Sequence, residues 1–146
     1  MQLLKPIMLI EDDSVDAMTV KRAMKELHIN LSMIHCLNGE EGLKYLTDPD
    51  ADKPFVILLD LNMPKMSGLE FLKAIKTFPD LKPIPVVVLT TSKEKRDVQE
   101  SFELGAAGYM IKPVDYTKFM DVINTVMLYW RLSELPKQEN KPANAK

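Results

Sequence analysis

The feature of this sequence that most limits its fold is a fivefold alternation of short apolar runs with longer amphipathic stretches. The first, third and fourth runs are almost unbroken, which is typical of strands buried on both faces. The second run is weaker and suits a strand nearer an edge. This alternation predicts an α/β fold in which helices cover both faces of a parallel sheet. The predicted strands are Ile7–Ile10, Leu31–Leu37, Phe55–Leu59, Val86–Leu89 and Tyr109–Ile111.

The stretches between the strands have the spacing of amphipathic helices. Ser14 is a candidate N-cap of the first helix. The fourth helix is mostly polar, so we expect it to be thinly packed, with Val98, Phe102 and Leu104 as its anchors. Four predicted helices span 14–27, 67–78, 93–104 and 115–132. A further helix is predicted in the segment that begins with Asn38-Gly39.

Length and composition indicate one soluble domain. The 146 residues are 46% hydrophobic and 27% charged, as expected of a globular protein. The formal net charge of −2 argues against nucleic acid as the main partner. A single cysteine and the lack of a membrane-length apolar stretch predict a cytoplasmic location. We expect the domain to span 1–135 and the tail, 136–146, to be disordered.

Polar residues stand where four of the predicted strands end. Glu11-Asp12-Asp13 follows the first strand, Asp60 the third, Thr90 the fourth and Lys112 the fifth. The carboxyl ends of parallel strands line one edge of the sheet, where open α/β sheets form their binding crevice. We therefore expect three or four carboxylates and one lysine to lie together.

Carboxylates gathered in this way repel one another, by roughly 4 kcal/mol for two charges about 4 Å apart at an effective dielectric near 20. Such a cluster needs a cation, or a carboxylate with a raised pKa. Oxygen ligands without nearby His or Cys favour Mg²⁺ over zinc. A magnesium ion held by one or two carboxylates usually takes further oxygens from a phosphate, so the pattern predicts a phosphoryl-transfer site.

Three residues suit this chemistry. Asp60 can act as the nucleophile, because carboxylates form aspartyl-phosphates. Lys112 can pair with the developing negative charge, and the Thr90 hydroxyl can donate to a phosphoryl oxygen. At any single strand end such a residue would be ordinary, but their occurrence at four ends favours a functional site.

At these positions the chain resembles the receiver domain of two-component response regulators. The resemblance runs from about Pro6 to Trp130 and rests on the motifs LIEDD, LLDLNMPKMSG, VVVLTTS and GYMIKP. It implies a doubly wound, flavodoxin-like (CheY-like) sheet of five parallel strands in the order 2-1-3-4-5. The segments Tyr129-Trp130 and Leu135-Pro136 resemble, more narrowly, the small receivers paired with cyanobacterial phytochromes.

The resemblance assigns a role to each site residue. Asp60 corresponds to the phosphoacceptor and Lys112 to the phosphate-binding lysine. Thr90 corresponds to the switch hydroxyl, whose movement is coupled to a new rotamer of Tyr109. The Lys112-Pro113 peptide is expected to be cis. The implied Mg²⁺ ligands are Asp12, Asp60, the backbone carbonyl of Asn62, and Glu11 through a water molecule.

The implied mechanism is phosphotransfer to Asp60 from a phosphohistidine of a sensor histidine kinase, with a phytochrome as the candidate kinase. The phosphoryl group adds about −1.5 to −2 charge if it resembles other protein phosphates. We expect a stand-alone signalling switch rather than an enzyme. It would change the surface of the fourth helix, fifth strand and fifth helix, and signal by binding a partner.

The fifth predicted helix carries more apolar surface than one core should need, which is typical of a partner site. We expect homodimerisation through the fourth and fifth helices and the fifth strand. Burial of this surface against the fourth helix is the alternative. The expected dimer face contains Tyr116, Met120 and Met127.

Other functions fit parts of the pattern. A phosphate-independent adaptor of the same fold would have lost an acid, the threonine or the lysine, and none is lost. An aspartate-nucleophile phosphatase of the haloacid dehalogenase type would need a second acid where this chain has Asn62. A flavin-binding protein of similar topology would want a Ser/Thr/Gly-rich phosphate loop after the first strand.

Overall fold

A computed structural model of the chain describes residues 5–132. The strands are β1 (Ile7–Ile10), β2 (Met33–Cys36), β3 (Val56–Leu59), β4 (Val86–Thr90) and β5 (Gly108–Ile111). The helices are α1 (Ser14–Glu26), α2 (Gly39–Thr47), α3 (Gly68–Ile75), α4 (Lys95–Glu103) and α5 (Tyr116–Leu132). All strand pairs are parallel and the sheet order is β2-β1-β3-β4-β5. The predicted fold class and strand order are confirmed.

The sheet is the middle of three layers, with an apolar cluster on each face. Side chains alternate along β1, so that Ile7 and Leu9 pack with α1 and α5. Met8 and Ile10 pack with α2 and α3 on the other face. The strands β1, β3 and β4 are buried along their whole length, whereas β2 and β5 are not. This confirms the prediction that unbroken apolar runs form the interior strands.

Helix α1 starts directly above the carboxyl end of β1, and its N-cap is Asp13. The Asp13 carboxylate accepts hydrogen bonds from the backbone N–H of Val15 at 2.8 Å and of Asp16 at 3.2 Å. The prediction that Ser14 caps the helix was wrong, because Ser14 is already its first residue. Asp13 therefore has a structural role, and it fixes the first turn of α1.

Helix α4 is thinly packed, as predicted. Within α4, Ser101 is the only fully buried residue. Phe102 was wrongly predicted to anchor the helix, since 49% of its surface is exposed. Few buried apolar contacts make an element easy to displace.

Helix α5 packs chiefly against α1 and not, as the alternative interpretation had it, against α4. Met127 is only 1% exposed, so its assignment to a dimer face was wrong. The reason is helical periodicity: Met127 follows Ile123 by one turn and shares its core-facing stripe. Tyr116 donates its hydroxyl to Glu26 of α1 at 3.1 Å and stays partly exposed, as does Met120.

The predicted tail, 136–146, lies outside the described residues. Among residues 5–132, none of the helices combines the length and apolar character needed to cross a membrane.

Gly68 lets the loop after β3 fold back onto the end of that strand. Its backbone N–H donates to the Leu61 carbonyl at 3.0 Å. A Cβ at this position would lie 2.3 Å from the Asp60 carbonyl oxygen and 2.7 Å from Leu61 Cα. The close approach thus requires glycine and holds the backbone of Asp60 in place.

We expect Gly68→Ala to lower the free energy of unfolding by about 1–3 kcal/mol, because the added methyl overlaps backbone atoms rather than a flexible side chain. Urea denaturation measures this change. Gly108→Ala is the matched control, since its Cβ would lie 3.7 Å from Val87 Cγ1, an ordinary contact. It should leave stability unchanged or raise it by up to about 1 kcal/mol. Equal losses in both variants would contradict the packing argument.

Candidate functional site

Three carboxylates meet at the carboxyl edge of the sheet. Glu11 and Asp12 follow β1, and Asp60 follows β3, which pairs with β1 in register. One oxygen of each residue lies within 4.8 Å of the others. Glu11 is 2% exposed and Asp60 7%, whereas Asp12 is exposed. The predicted convergence of acids from two strands is confirmed.

The ammonium of Lys112 lies beside this cluster. Its Nζ donates to Glu11 Oε1 and, at 2.8 Å, to Asp16 Oδ2, and it lies 3.9 Å from Asp60 Oδ1. Asp16 was missed by the sequence reasoning, which considered only strand ends. The available signal was its place in the first turn of the helix that follows β1, because that turn stands over the same edge of the sheet.

Glu11 is held by several contacts. Its second carboxylate oxygen accepts the backbone N–H of Asp13 at 3.2 Å, and its own N–H donates to the Cys36 carbonyl at 3.0 Å. His35 Nε2 lies 2.8 Å from the Glu11 carbonyl oxygen. A carbonyl only accepts, so Nε2 must carry the hydrogen. His35, to which the sequence assigned no role, thus fixes the end of β1.

Thr90 and Tyr109 are linked through the loop between β4 and α4. Thr90 is fully buried, and its hydroxyl oxygen accepts a long hydrogen bond, 3.4 Å, from the backbone N–H of Ser92. The Tyr109 hydroxyl donates to the Ser92 carbonyl at 2.9 Å. Ser92 Oγ also donates to Asp97 Oδ2 at 2.5 Å. Ser92 therefore joins the two predicted switch residues to the first turn of α4.

Backbone contacts connect Thr90 to Lys112, because the Lys112 N–H donates to the Thr90 carbonyl at 2.7 Å. The Lys112-Pro113 peptide is not cis, so that prediction was wrong. The trans form is the intrinsically preferred one for X–Pro bonds, by about 0.5–1 kcal/mol. Asn62 is exposed in the loop two residues after Asp60.

Burial sets the charge state of the site. It raises the pKa of Glu11 to about 7, although the hydrogen bond from Lys112 opposes the shift. Burial also raises the pKa of Asp60, against the positive charge of Lys112. For Lys112, burial lowers the pKa, but hydrogen bonds to Asp16 and Glu11 outweigh it, so the pKa is raised. The buried acids thus lack full compensation for their charge.

The donor set fits a hard divalent cation. Glu11, Asp12 and Asp60 offer carboxylate oxygens only, and Lys112 supplies a single positive charge beside them. Oxygen ligands of this kind suit Mg²⁺, Mn²⁺ or Ca²⁺ rather than zinc. A divalent ion would offset two of the negative charges in this cluster.

Comparisons with known proteins agree with this geometry. Residues 7–124 match the family described as the response regulator receiver domain. The chain is 36% identical to the response regulator Rcp1 of Synechocystis sp. over 130 residues, 86% of this chain and 88% of that protein. The crystal structure of Mn²⁺-bound Rcp1 gives a TM-score of 0.83, covering 91% of this chain and 99% of that one. Phosphorylated RcpA, a cyanobacterial phytochrome response regulator, gives 0.86 at 32% identity, covering 92% and 100%.

Without divalent metal, Asp60→Asn should raise the free energy of unfolding at pH 8 relative to the unchanged protein. The pKa of Asp60 is raised in the folded protein, so folding favours its protonated form. The stability that this group contributes is present below its ordinary pKa and is lost as pH rises through the folded-state value. The advantage of the variant should therefore grow between pH 4.5 and pH 8 in urea titrations with EDTA.

Asp12→Asn is the control for this measurement, because Asp12 is exposed and water screens its charge. Its effect should be small at both pH values. An Asp60→Asn advantage that stays constant with pH would contradict the electrostatic cause.

Proposed function

The chain belongs to the family of response regulator receiver domains, and from that premise we propose that it accepts a phosphoryl group on Asp60 from a sensor histidine kinase. One observation carries the proposal: a buried carboxylate lies within reach of two others and 3.9 Å from a buried ammonium. A carboxylate nucleophile between a cation site and a lysine is what phosphoryl transfer to aspartate requires.

In the proposed reaction an oxygen of Asp60 attacks the phosphorus of a phosphohistidine. A P–O bond forms while the P–N bond breaks, and the leaving imidazole nitrogen keeps the electron pair of that bond. Lys112 offsets negative charge on the phosphoryl oxygens, and the Thr90 hydroxyl donates a hydrogen bond to one of them. The product is an acyl phosphate whose added charge, about −1.5 to −2 by analogy with other protein phosphates, drives the switch.

We propose Mg²⁺ as the metal, held by Asp12, Asp60 and the Asn62 carbonyl, with Glu11 acting through a water molecule. Both Glu11 oxygens already accept hydrogen bonds, from Lys112 and from the Asp13 N–H, which supports an indirect contact. The all-oxygen donor set supports magnesium, and the Mn²⁺-bound form of the similar Rcp1 supports a divalent ion. When bound, the ion would supply charge neutralisation for the transferring group.

The kinase we propose is a phytochrome. The support is the similarity to RcpA, which is a phytochrome response regulator. The proposed chemistry at Asp60 is the same for any phosphohistidine donor.

The output we propose is a rearranged surface of α4, β5 and α5. Movement of Thr90 toward the phosphoryl group would disturb the Ser92 contacts and release Tyr109. All three elements expose large apolar side chains, which supports a partner face there, and we propose a second copy of the chain as one partner. The exposed side chains are Phe102, Ile111 and Leu128.

Asp60→Asn should reduce labelling by a small acyl phosphate donor to background, because an amide cannot form the aspartyl-phosphate. Removing Mg²⁺ with EDTA should slow labelling of the unchanged protein by about 10²-fold or more. Intact-mass spectrometry measures the label. Asp13→Asn is the matched control: asparagine also caps helices well, so removing this neighbouring charge should leave labelling close to normal. Normal labelling of the Asp60 variant would refute the proposed function.

Saturating the protein with Mg²⁺ and a beryllofluoride phosphoryl mimic should shift it toward a dimer in sedimentation velocity. Phe102→Glu should weaken this association about 10-fold or more, because it puts a charge into an apolar face. Met18→Glu on α1 is the control, since Met18 is also largely exposed but lies on a different helix. A strictly monomeric mass at high concentration, with and without the mimic, would contradict dimerisation.

A further inference from the structure

Lys112 has more carboxylate neighbours than its proposed role requires. Its Nζ donates to Glu11 and, at 2.8 Å, to Asp16, whereas Asp60 Oδ1 lies 3.9 Å away. The last distance is too long for a hydrogen bond. In this structure the lysine is therefore bonded to its two flanking acids and not to the phosphoacceptor.

Asp16 reaches Lys112 from a helix and not from a strand end. Its backbone N–H donates to the Asp13 carboxylate at 3.2 Å, so the N-cap of α1 fixes its position. Two residues that follow Asp16 in the same helix, Ala17 and Val20, are buried in the core. The Asp16 carboxylate is consequently carried by a rigid element, with 37% of the side chain exposed.

The shape of the ammonium leaves one hydrogen unassigned. An ammonium carries three donors set tetrahedrally around nitrogen. Two of them are taken by Glu11 and Asp16. The third is left for Asp60 or for a group bound to it. A phosphoryl oxygen on Asp60 can accept that hydrogen while both existing bonds stay in place.

The two flanking acids are not equivalent anchors. Glu11 belongs to the carboxylate cluster whose oxygens lie within 4.8 Å of one another, so its negative charge is shared between Lys112 and a cation bound there. Asp16 is not a member of that cluster. Its bond to Lys112 therefore persists when the cluster takes up a cation.

An ion pair between exposed side chains contributes little to stability. Judged by the exposure of Asp16 alone, its contact with Lys112 would be such a pair. The lysine, however, is only 8% exposed. Removing one partner of a largely buried ammonium leaves its charge undercompensated and free to reorient. The contact therefore matters more for the position of Nζ than the exposure of Asp16 suggests.

We propose that Asp16 is a positioning residue, which fixes the Lys112 ammonium so that its remaining N–H meets the phosphoryl group on Asp60. This inference rests on the proposed function. It assigns to α1 a direct part in a site otherwise built from strand ends. It also predicts that binding of the phosphoryl group and binding of the metal respond differently to loss of Asp16.

The test is isothermal titration calorimetry of the full chain, first with Mg²⁺ alone and then with beryllofluoride at saturating Mg²⁺. Asp16→Ala should weaken the mimic about 10-fold while changing Mg²⁺ affinity less than about 3-fold, since Asp16 does not belong to the cation cluster. Asp16→Asn keeps an acceptor oxygen and removes the same charge. Asp16→Asn should recover at least half of the binding free energy for beryllofluoride that Asp16→Ala loses.

Three results would overturn the inference. One is wild-type mimic affinity in Asp16→Ala. Another is a parallel loss of Mg²⁺ and mimic affinity, which would show a general charge effect. The third is an Asp16→Asn variant no better than the alanine variant. Failure of the unchanged protein to bind the mimic would instead overturn the proposed function, so the two failures are distinguishable.

Discussion

The burial of two carboxylates at one edge of the sheet is the constraint on which the rest of the structure depends. Glu11 and Asp60 are almost fully buried, which raises the pKa of both carboxyls and makes their charged forms costly in the folded protein. Lys112 offsets part of this cost with its single positive charge. Such a site favours a ligand that adds positive charge, so a divalent cation suits it, and under the proposed function that cation would also offset the negative charge of a phosphoryl group on Asp60.

The fold tolerates this electrostatically unfavourable site because its interior is rigid. The strands β1 and β3, which end at the acids, are buried on both faces and paired in register. Gly68 brings the following loop against the Asp60 backbone, and Asp13 fixes the first turn of α1. The hydrophobic layers thus supply the free energy that holds like charges together.

The opposite side of the site is more loosely packed than the strands that carry the acids. Helix α4 has little buried surface, and β5 is an edge strand. Ser92 and Tyr109 join these elements to Thr90 through a few hydrogen bonds. A hydrogen bond that contributes about 1 kcal/mol can stabilise one arrangement of these elements without preventing a second one. Under the proposed function, charge arriving on Asp60 would displace these loosely packed elements.

Much of this could be predicted from the sequence, because the signals are local. Unbroken apolar runs indicate interior strands, and the alternation with helices indicates a parallel doubly wound sheet. Parallel strands end at one edge, so the sequence alone assigns the residues after β1, β3, β4 and β5 to one site. This assignment needs only the pattern of apolar residues, the handedness of connections between parallel strands, and the position of the binding edge in such sheets.

Tertiary structure decided the rest, because it depends on helix rotation, side-chain rotamers and loop paths that no local pattern encodes. Packing of α5 on α1 turned Met127 into the core, and the path after β5 left the Lys112-Pro113 bond trans. Asp16 gained its place beside Lys112 only when α1 docked over the sheet edge. The sequence by itself determined which strand-end residues gather, and the packed chain determined which residues bond, because a hydrogen bond needs its two heavy atoms within roughly 3.5 Å of each other.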